Sequence, residues 1–105
     1  MSDLLPKIVS STVPGPKTQA LLERRNAAVP AALCAKTYPV VISRGEGAAF
    51  EDADGNVFLD WIGGVGVLNI GYSHSEVVEA VKAQAEKYFH TIFNIVGHEG
   101  SIALA

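Results

Sequence analysis

The chain has 105 residues, room for one domain at most; 49% of them are apolar and only 18% are charged. A net charge of -3 and eight scattered Lys and Arg exclude a basic stripe able to hold a nucleic-acid backbone. The single cysteine, Cys34, excludes an internal disulfide and reads as a free thiol, so the fold does not depend on an oxidising compartment.

High apolar content and low charge suit a segment that buries much of its surface against something else. The longest uncharged run, near Trp61 to Ser73, falls short of the roughly 20 apolar residues a membrane span needs. At the start, Leu4-Leu5 is the only apolar cluster, and Pro6, Pro14 and Pro16 break up the residues after it. No signal peptide and no membrane partner are expected, and the expected compartment is the cytoplasm.

Residues 1–15 read as an irregular arm, mobile or strapped onto a partner surface, because Ser10-Ser11-Thr12 and Pro14-Gly15-Pro16 offer breakers and no periodicity. The structured part is 16–105. Lys17 to Val29 reads as a helix, with Leu21, Leu22, Arg25 and Val29 on one mixed face and Pro30 as its stop. Pro30 to Thr37 reads as a connector. Tyr38 to Ser43 is β-branched and extended, with Pro39 restricting it to an edge or a strand start.

Ala48 to Glu51 and Val57 to Trp61 read as a hairpin about Asp54-Gly55, since glycine accepts positive φ and aspartate bonds its own backbone. Ile62 to Ile70 reads as a further glycine-rich strand of the same small antiparallel sheet. Four glycines between Gly63 and Gly71 weaken a purely structural strand, so another backbone or a ligand is expected to approach there.

Ser73 and Glu76 have capping-box spacing and are expected to open a helix that ends near His90. Val77, Val78, Val81, Ala85, Tyr88 and Phe89 follow its period, and Lys82 with Glu86 forms an i,i+4 pair on the wet face. Phe93 to Val96 is a short apolar run broken by Gly97. Glu99 to Ala105 begins another helical pattern with no stop signal. The expectation is a fragment whose chemistry lies beyond Ala105.

The candidate chemistries within the chain are thin. Gly64-Val65-Gly66 nearly opens a dinucleotide fingerprint, but Asn69 stands at its last glycine and no helix is expected to follow. Asp52, Asp54 and Asn56 resemble half a calcium loop, yet Gly55 comes too early for the sharp turn, and a plain hairpin turn suffices. His74, His90 and His98 fall on three different elements, without the i,i+4 spacing of a zinc site. No nucleophile elbow supports a serine triad. Lys17, Lys36, Lys82 and Lys87 sit in polar company, unlike a desolvated Schiff-base lysine. Phe58, Trp61 and Tyr72 read as core or interface packing before they read as a ligand-stacking box.

Taken together, the runs Gly15 to Arg25, Gly45 to Asn56, Leu59 to Asn69 and Val77 to Gln84, with His90-Thr91, resemble class III aminotransferases. These are fold-type I, pyridoxal-phosphate-dependent enzymes, and within them the chain looks most like the 4-aminobutyrate aminotransferases. The resemblance covers about Gly15 to Ala105. It implies an α+β segment made of an N-terminal helix, a small antiparallel sheet and a following helix, part of the small domain and packed across a homodimer interface. It implies substrate-binding roles for Val65, an apolar wall sorting substrates by length and branching, and for Asn94 at the pocket edge. Asn94 is one methylene shorter than the glutamine common there. Where the family shows Gly-His-x-His-Pro, this chain has Gly71-Tyr72-Ser73-His74-Ser75 and lacks the φ that proline fixes in a first turn.

The family's phosphate loop, the aspartate that pairs with the pyridinium nitrogen and the Schiff-base lysine all come later than residue 105. The resemblance therefore implies a parent enzyme that uses pyridoxal phosphate to move an amino group from an ω-amino acid to a 2-oxo acid. It implies no catalytic, cofactor-binding or metal residue in this chain, which alone is expected to be inactive. The alternative is a non-catalytic interaction module or docking subunit.

Overall fold

The computed structural model describes residues 4–34 and 38–105, so the expected connector to Thr37 lies partly outside the described residues. The chain divides into two compact units, one ending at His74 and the other running from Ser75 to Ala105.

In the first unit, α1 spans Pro16–Ala28 and the single turn α2 spans Ala31–Cys34. The strands β1 (Ile42–Glu46), β2 (Ala49–Asp52) and β3 (Val57–Leu59) form one antiparallel sheet in the order β1-β2-β3. Gly45 faces Phe50, which in turn faces Phe58. The Phe50 and Phe58 rings stack at 5.4 Å, the cross-strand aromatic pairing that steadies a small sheet. The first strand is displaced from the sequence expectation. Its ladder begins at Ile42, because Pro39 has no N–H to donate, and Val41 only accepts a bond from the Ala53 N–H in the hairpin turn.

The hairpin turn holds this unit together. The Asp52 carboxylate accepts hydrogen bonds from the Asp54 N–H, the Asn56 N–H and the Asn56 amide. Asn56, itself wholly buried, uses its Oδ1 to accept from the Val9 N–H, the Ser10 N–H and the Ser10 hydroxyl. Lys7 pairs with Val57 on the free edge of β3, donating and accepting at 3.0 and 2.7 Å. The irregular N-terminal arm is thus laid on this chain's own hairpin. Leu4, Ala49 and Val57 make up the small apolar core beneath it.

The same turn caps α1. Gly15 is extended at the N-cap and has no side chain to offer, and Pro16 occupies the first helical position. The Asp54 carboxylate fills the gap, accepting from Lys17 N–H at 2.9 Å and Thr18 N–H at 2.8 Å. A carboxylate at a helix N-terminus also complements the helix dipole. Desolvation pushes the Asp54 carboxyl up. The Thr18 and Lys17 N–H groups and the Lys17 charge outweigh it and hold the group below its ordinary range, while the buried Thr18 Oγ1 beside it makes no hydrogen bond.

Four sequence expectations need correction. The run from Ile62 to Ile70 is no strand: α3, a single turn at Gly63–Gly66, has left-handed dihedrals at all four residues, with φ of 58°, 62°, 64° and 81°. Extended pairing is closed to such a backbone. The Ser73 helix begins later. In the second unit, α4 spans Ser75–Ala85, and Ser73 precedes it with φ of 53°, outside capping geometry. Lys82 pairs with Glu79 at 2.7 Å, not with Glu86. The helix stops at Ala85, and 86–87 form a turn. Finally, α5 spans Glu99–Leu104 and is capped by His98, whose Nδ1 accepts from the Ser101 N–H.

Candidate functional site

The site is built on the loop from Trp61 to Gly71, whose ends meet. At its start, the Asp60 N–H donates to Ala48 O at 2.9 Å. At its end, Tyr72 and Gly47 exchange backbone hydrogen bonds of 2.8 and 3.2 Å. Both ends are therefore fastened to the β1–β2 turn. Gly71 is the position where another backbone does come close: with φ of 83°, it lies so near the Gly47 main chain that a Cβ would collide with it.

A side-chain bond then closes the loop. The Asp60 carboxylate uses one oxygen to accept from the Ile62 and Gly63 N–H groups at 2.8 and 2.9 Å. Its other oxygen accepts the Tyr72 hydroxyl at 2.6 Å, a charge-assisted bond. The Tyr72 hydroxyl, followed by the two N–H groups, holds the Asp60 carboxyl below its ordinary value. The same bond, with some desolvation and the Asp60 charge, pushes the Tyr72 phenol up to about 12. The Tyr72 ring is seated edge-on to Phe50 at 6.4 Å and lies directly over Gly45, where a Cβ would overlap it. Two shallow grooves of about 450 and 320 Å³ flank Asp60 and Tyr72, one apolar with Tyr38, Ile42 and Phe50, the other lined by Gly47 and Leu68.

The loop's amide groups are largely committed. Val65 and Gly66 donate to Ile62 O, and Val67 and Leu68 donate to Gly63 O. The turn presents its apolar side chains outward instead, with Trp61 90% and Val65 87% exposed. Val65 lines neither groove; it stands at the tip. Its φ of 64° is an outlier for a β-branched residue. Asn94 belongs to the second unit and is exposed on the turn 92–96, where Ile95 and Val96 N–H groups donate to Ile92 O. The sequence reading placed Val65 in the glycine run and took Tyr72 as a packing residue, but missed Asp60 and its bond to the Tyr72 hydroxyl. The spacing of an acid, shortly before the first glycine, and a tyrosine just after the last one was the available signal.

The matching family model is that of the class III aminotransferases, over residues 32–105. This chain belongs to that family. It is 42% identical over 93 residues to a 4-aminobutyrate aminotransferase of Mycobacterium bovis, covering 89% of this chain and 20% of the relative. It is 38% identical over 100 residues to an alanine/serine racemase of Pyrococcus horikoshii, covering 95% of this chain and 21% of that protein. Among solved structures, an omega-transaminase from Sphaerobacter thermophilus superposes with a TM-score of 0.73 at 30% identity, over 88% of this chain and 22% of the other. The class III aminotransferase segment therefore spans about a fifth of the length of the curated relatives it matches. Its α+β fold, a helix, a small antiparallel sheet and a following helix, is that of the fold-type I enzymes.

Family membership implies pyridoxal phosphate, and the described residues do not fit that group. A phosphate cradle needs free N–H groups converging on one point. Here the Ile62, Gly63, Val65 and Gly66 N–H groups already serve Asp60 and Ile62. The described lysines, Lys7, Lys17, Lys82 and Lys87, are all exposed on the surface, unlike a lysine desolvated for imine chemistry. No group of three or more metal-ligating side chains occurs among the described residues, and no described helix is long and apolar enough to cross a membrane.

Proposed function

We propose that this chain is the opening segment of a pyridoxal-phosphate-dependent aminotransferase that moves the amino group of an ω-amino acid, of the 4-aminobutyrate kind, to a 2-oxo acid. Within it, Val65 is an apolar wall of the substrate pocket and Asn94 a polar group at its edge. The segment belongs to the small domain of a homodimeric, cytoplasmic enzyme. The cofactor, when bound, supplies the electron sink for the bonds broken at the substrate carbon. This chain contributes shape: it excludes water and limits what fits beside the reacting carbon.

One observation carries this reading. A strained turn fixed at both ends holds up an uncovered valine, and a side chain left bare by its own chain is available to face a ligand or a neighbouring surface. The omega-transaminase likeness and the 4-aminobutyrate aminotransferase relative favour an ω-amino donor. The alanine/serine racemase at similar identity supports a choice of reaction made by the rest of the parent enzyme.

Two measurements test the reading. The 105-residue chain, incubated with pyridoxal phosphate and 4-aminobutyrate, should transfer no amino group, and borohydride should fix no cofactor on its lysines; a trapped adduct overturns the claim of inactivity. In a full-length class III polypeptide carrying this segment, Val65→Ala should change the KM for 4-aminobutyrate relative to a shorter ω-amino acid by about tenfold, the scale of one or two methylenes. Unchanged discrimination sinks the pocket role. A chain that instead stays a stable monomer and docks on a full-length relative would be an interaction module.

A further inference from the structure

We propose that Asp60 and Tyr72 are positioning residues for Val65: their bond closes the 61–71 loop and aims the valine at the substrate. This inference rests on the reading of Val65 as a pocket wall. Three observations carry it. First, left-handed backbone is unfavourable for a β-branched residue, and Val65 has little packing to compensate because its side chain is bare. The conformation is held instead by the turn's own hydrogen bonds to Ile62 O and Gly63 O and by the fastened ends of the loop. Second, Asp60 is the only side chain bonded to the turn's leading N–H groups among the described residues, and it grips the two at the start of the left-handed run. Third, the Tyr72 hydroxyl bonds the other oxygen of the same carboxylate from the far end of the loop, while its ring is fixed on Gly45 and Phe50. The carboxylate cannot rotate away without losing a bond on one side or the other.

The consequence is a chain of dependence from the sheet to the substrate. Phe50 and Gly45 set the ring, the ring sets the hydroxyl, the hydroxyl orients Asp60, and Asp60 orients the turn. Neither Asp60 nor Tyr72 needs to touch the substrate. Removing the hydroxyl leaves the ring packed and the sheet intact, so Tyr72→Phe isolates the clasp from the fold.

The test combines the chain itself with the full-length enzyme. In the 105-residue chain, Tyr72→Phe should speed amide hydrogen exchange at Val65 and Gly66 by about tenfold while Phe50 and Phe58 keep their protection. Asp60→Asn, which keeps the shape but loses the charge, should do the same if the phenylalanine variant folds poorly. Unchanged exchange at Val65 in both variants overturns the clasp. In the full-length enzyme, Tyr72→Phe should raise the KM for 4-aminobutyrate by about fivefold with kcat little changed, and should add nothing in a Val65→Ala background. An equal effect in both backgrounds, or a fall in kcat alone, assigns Tyr72 a merely structural role and overturns the proposal. If Val65→Ala alone shifts KM while Tyr72→Phe does not, the pocket reading stands and the clasp fails. If Val65→Ala shifts nothing, the pocket reading fails and takes the substrate-aiming role with it, whatever the exchange data show about loop order.

Discussion

Val65 shows how a single residue can sit against its own preference. A β-branched side chain in left-handed backbone costs on the order of 1–3 kcal/mol unless packing compensates, and here the side chain is 87% exposed. Val65→Gly should therefore raise stability, by about 1 kcal/mol in a denaturant titration, even as it removes the apolar wall. A loss of stability would mean that the valine has partners the isolated chain does not show. Asp60 and Tyr72 give a second residue-scale expectation, in pH. The Tyr72 phenol is raised from 10.0 to about 12, so its stabilising contribution is complete below pH 10 and is lost as pH rises towards 12. The Asp60 carboxyl is lowered, so its contribution is present above the ordinary carboxylate value and is lost as pH falls through the lowered one. An absorbance titration should find the Tyr72 phenol ionising late, and Asp60→Asn should bring it back towards 10.0. A Tyr72 phenol titrating near 10.0 in the native chain would contradict the 2.6 Å bond.

At the scale of elements, the hairpin turn secures α1 and the N-terminal arm, which lack the groups to secure themselves. The helix begins at a glycine and a proline, neither of which has a capping oxygen in its side chain, and borrows one from Asp54. Asp54→Ala should lower helicity by circular dichroism, with the loss confined to α1 exchange protection. Gly15→Ala should act on the same cap, since a Cβ there meets the Asp54 carboxylate. Asn56→Ala is the more severe change. It strips a buried acceptor from three donors of the arm and a donor from Asp52, and leaving such groups unpaired costs about 1–3 kcal/mol. Much of this architecture was legible in the residues. Pro30 stops α1, Asp54-Gly55 marks the turn, and the apolar period marks α4. The features that were not legible have a common physical source, long-range polar bonding. Nothing local in Ser10 or Lys17 announces a partner far along the chain. The glycine run misled because glycine signals freedom without direction: the same residues that weaken a strand permit a left-handed turn, and only the Asp60 anchor decides between them. For the site, Val65 was singled out only through the family resemblance, inside a run read as a strand, and the Asp60–Tyr72 clasp depends on a loop closure that strand reading excluded.

For the whole molecule, the balance of surfaces is the central fact. Among the described residues the buried apolar set is only Leu4, Ala49 and Val57, while Trp61, Val65, Phe89 and Leu104 lie almost wholly bare. Bare side chains of that size in so short a chain have hydrophobic burial still to gain, at about 25 cal/mol for each Å² removed from water. Trp61 reports on this directly, because it is the single tryptophan in the sequence and is 90% exposed. In dilute solution its emission should be that of indole in water and open to acrylamide quenching. Mixing the chain with a polypeptide comprising the remainder of a class III relative should shift that emission to the blue and protect it from the quencher. Raising the concentration of the chain alone separates the two available partners. A blue shift that appears with concentration, without the complement, means that copies of this segment cover one another's Trp61. A shift that requires the complement means that the surface is shaped for the rest of an aminotransferase. Emission already blue and shielded in the dilute chain would show that Trp61 is buried within the segment itself. The 61–71 loop would then be packed inward, and the exposed valine that carries the functional reading would not exist in solution.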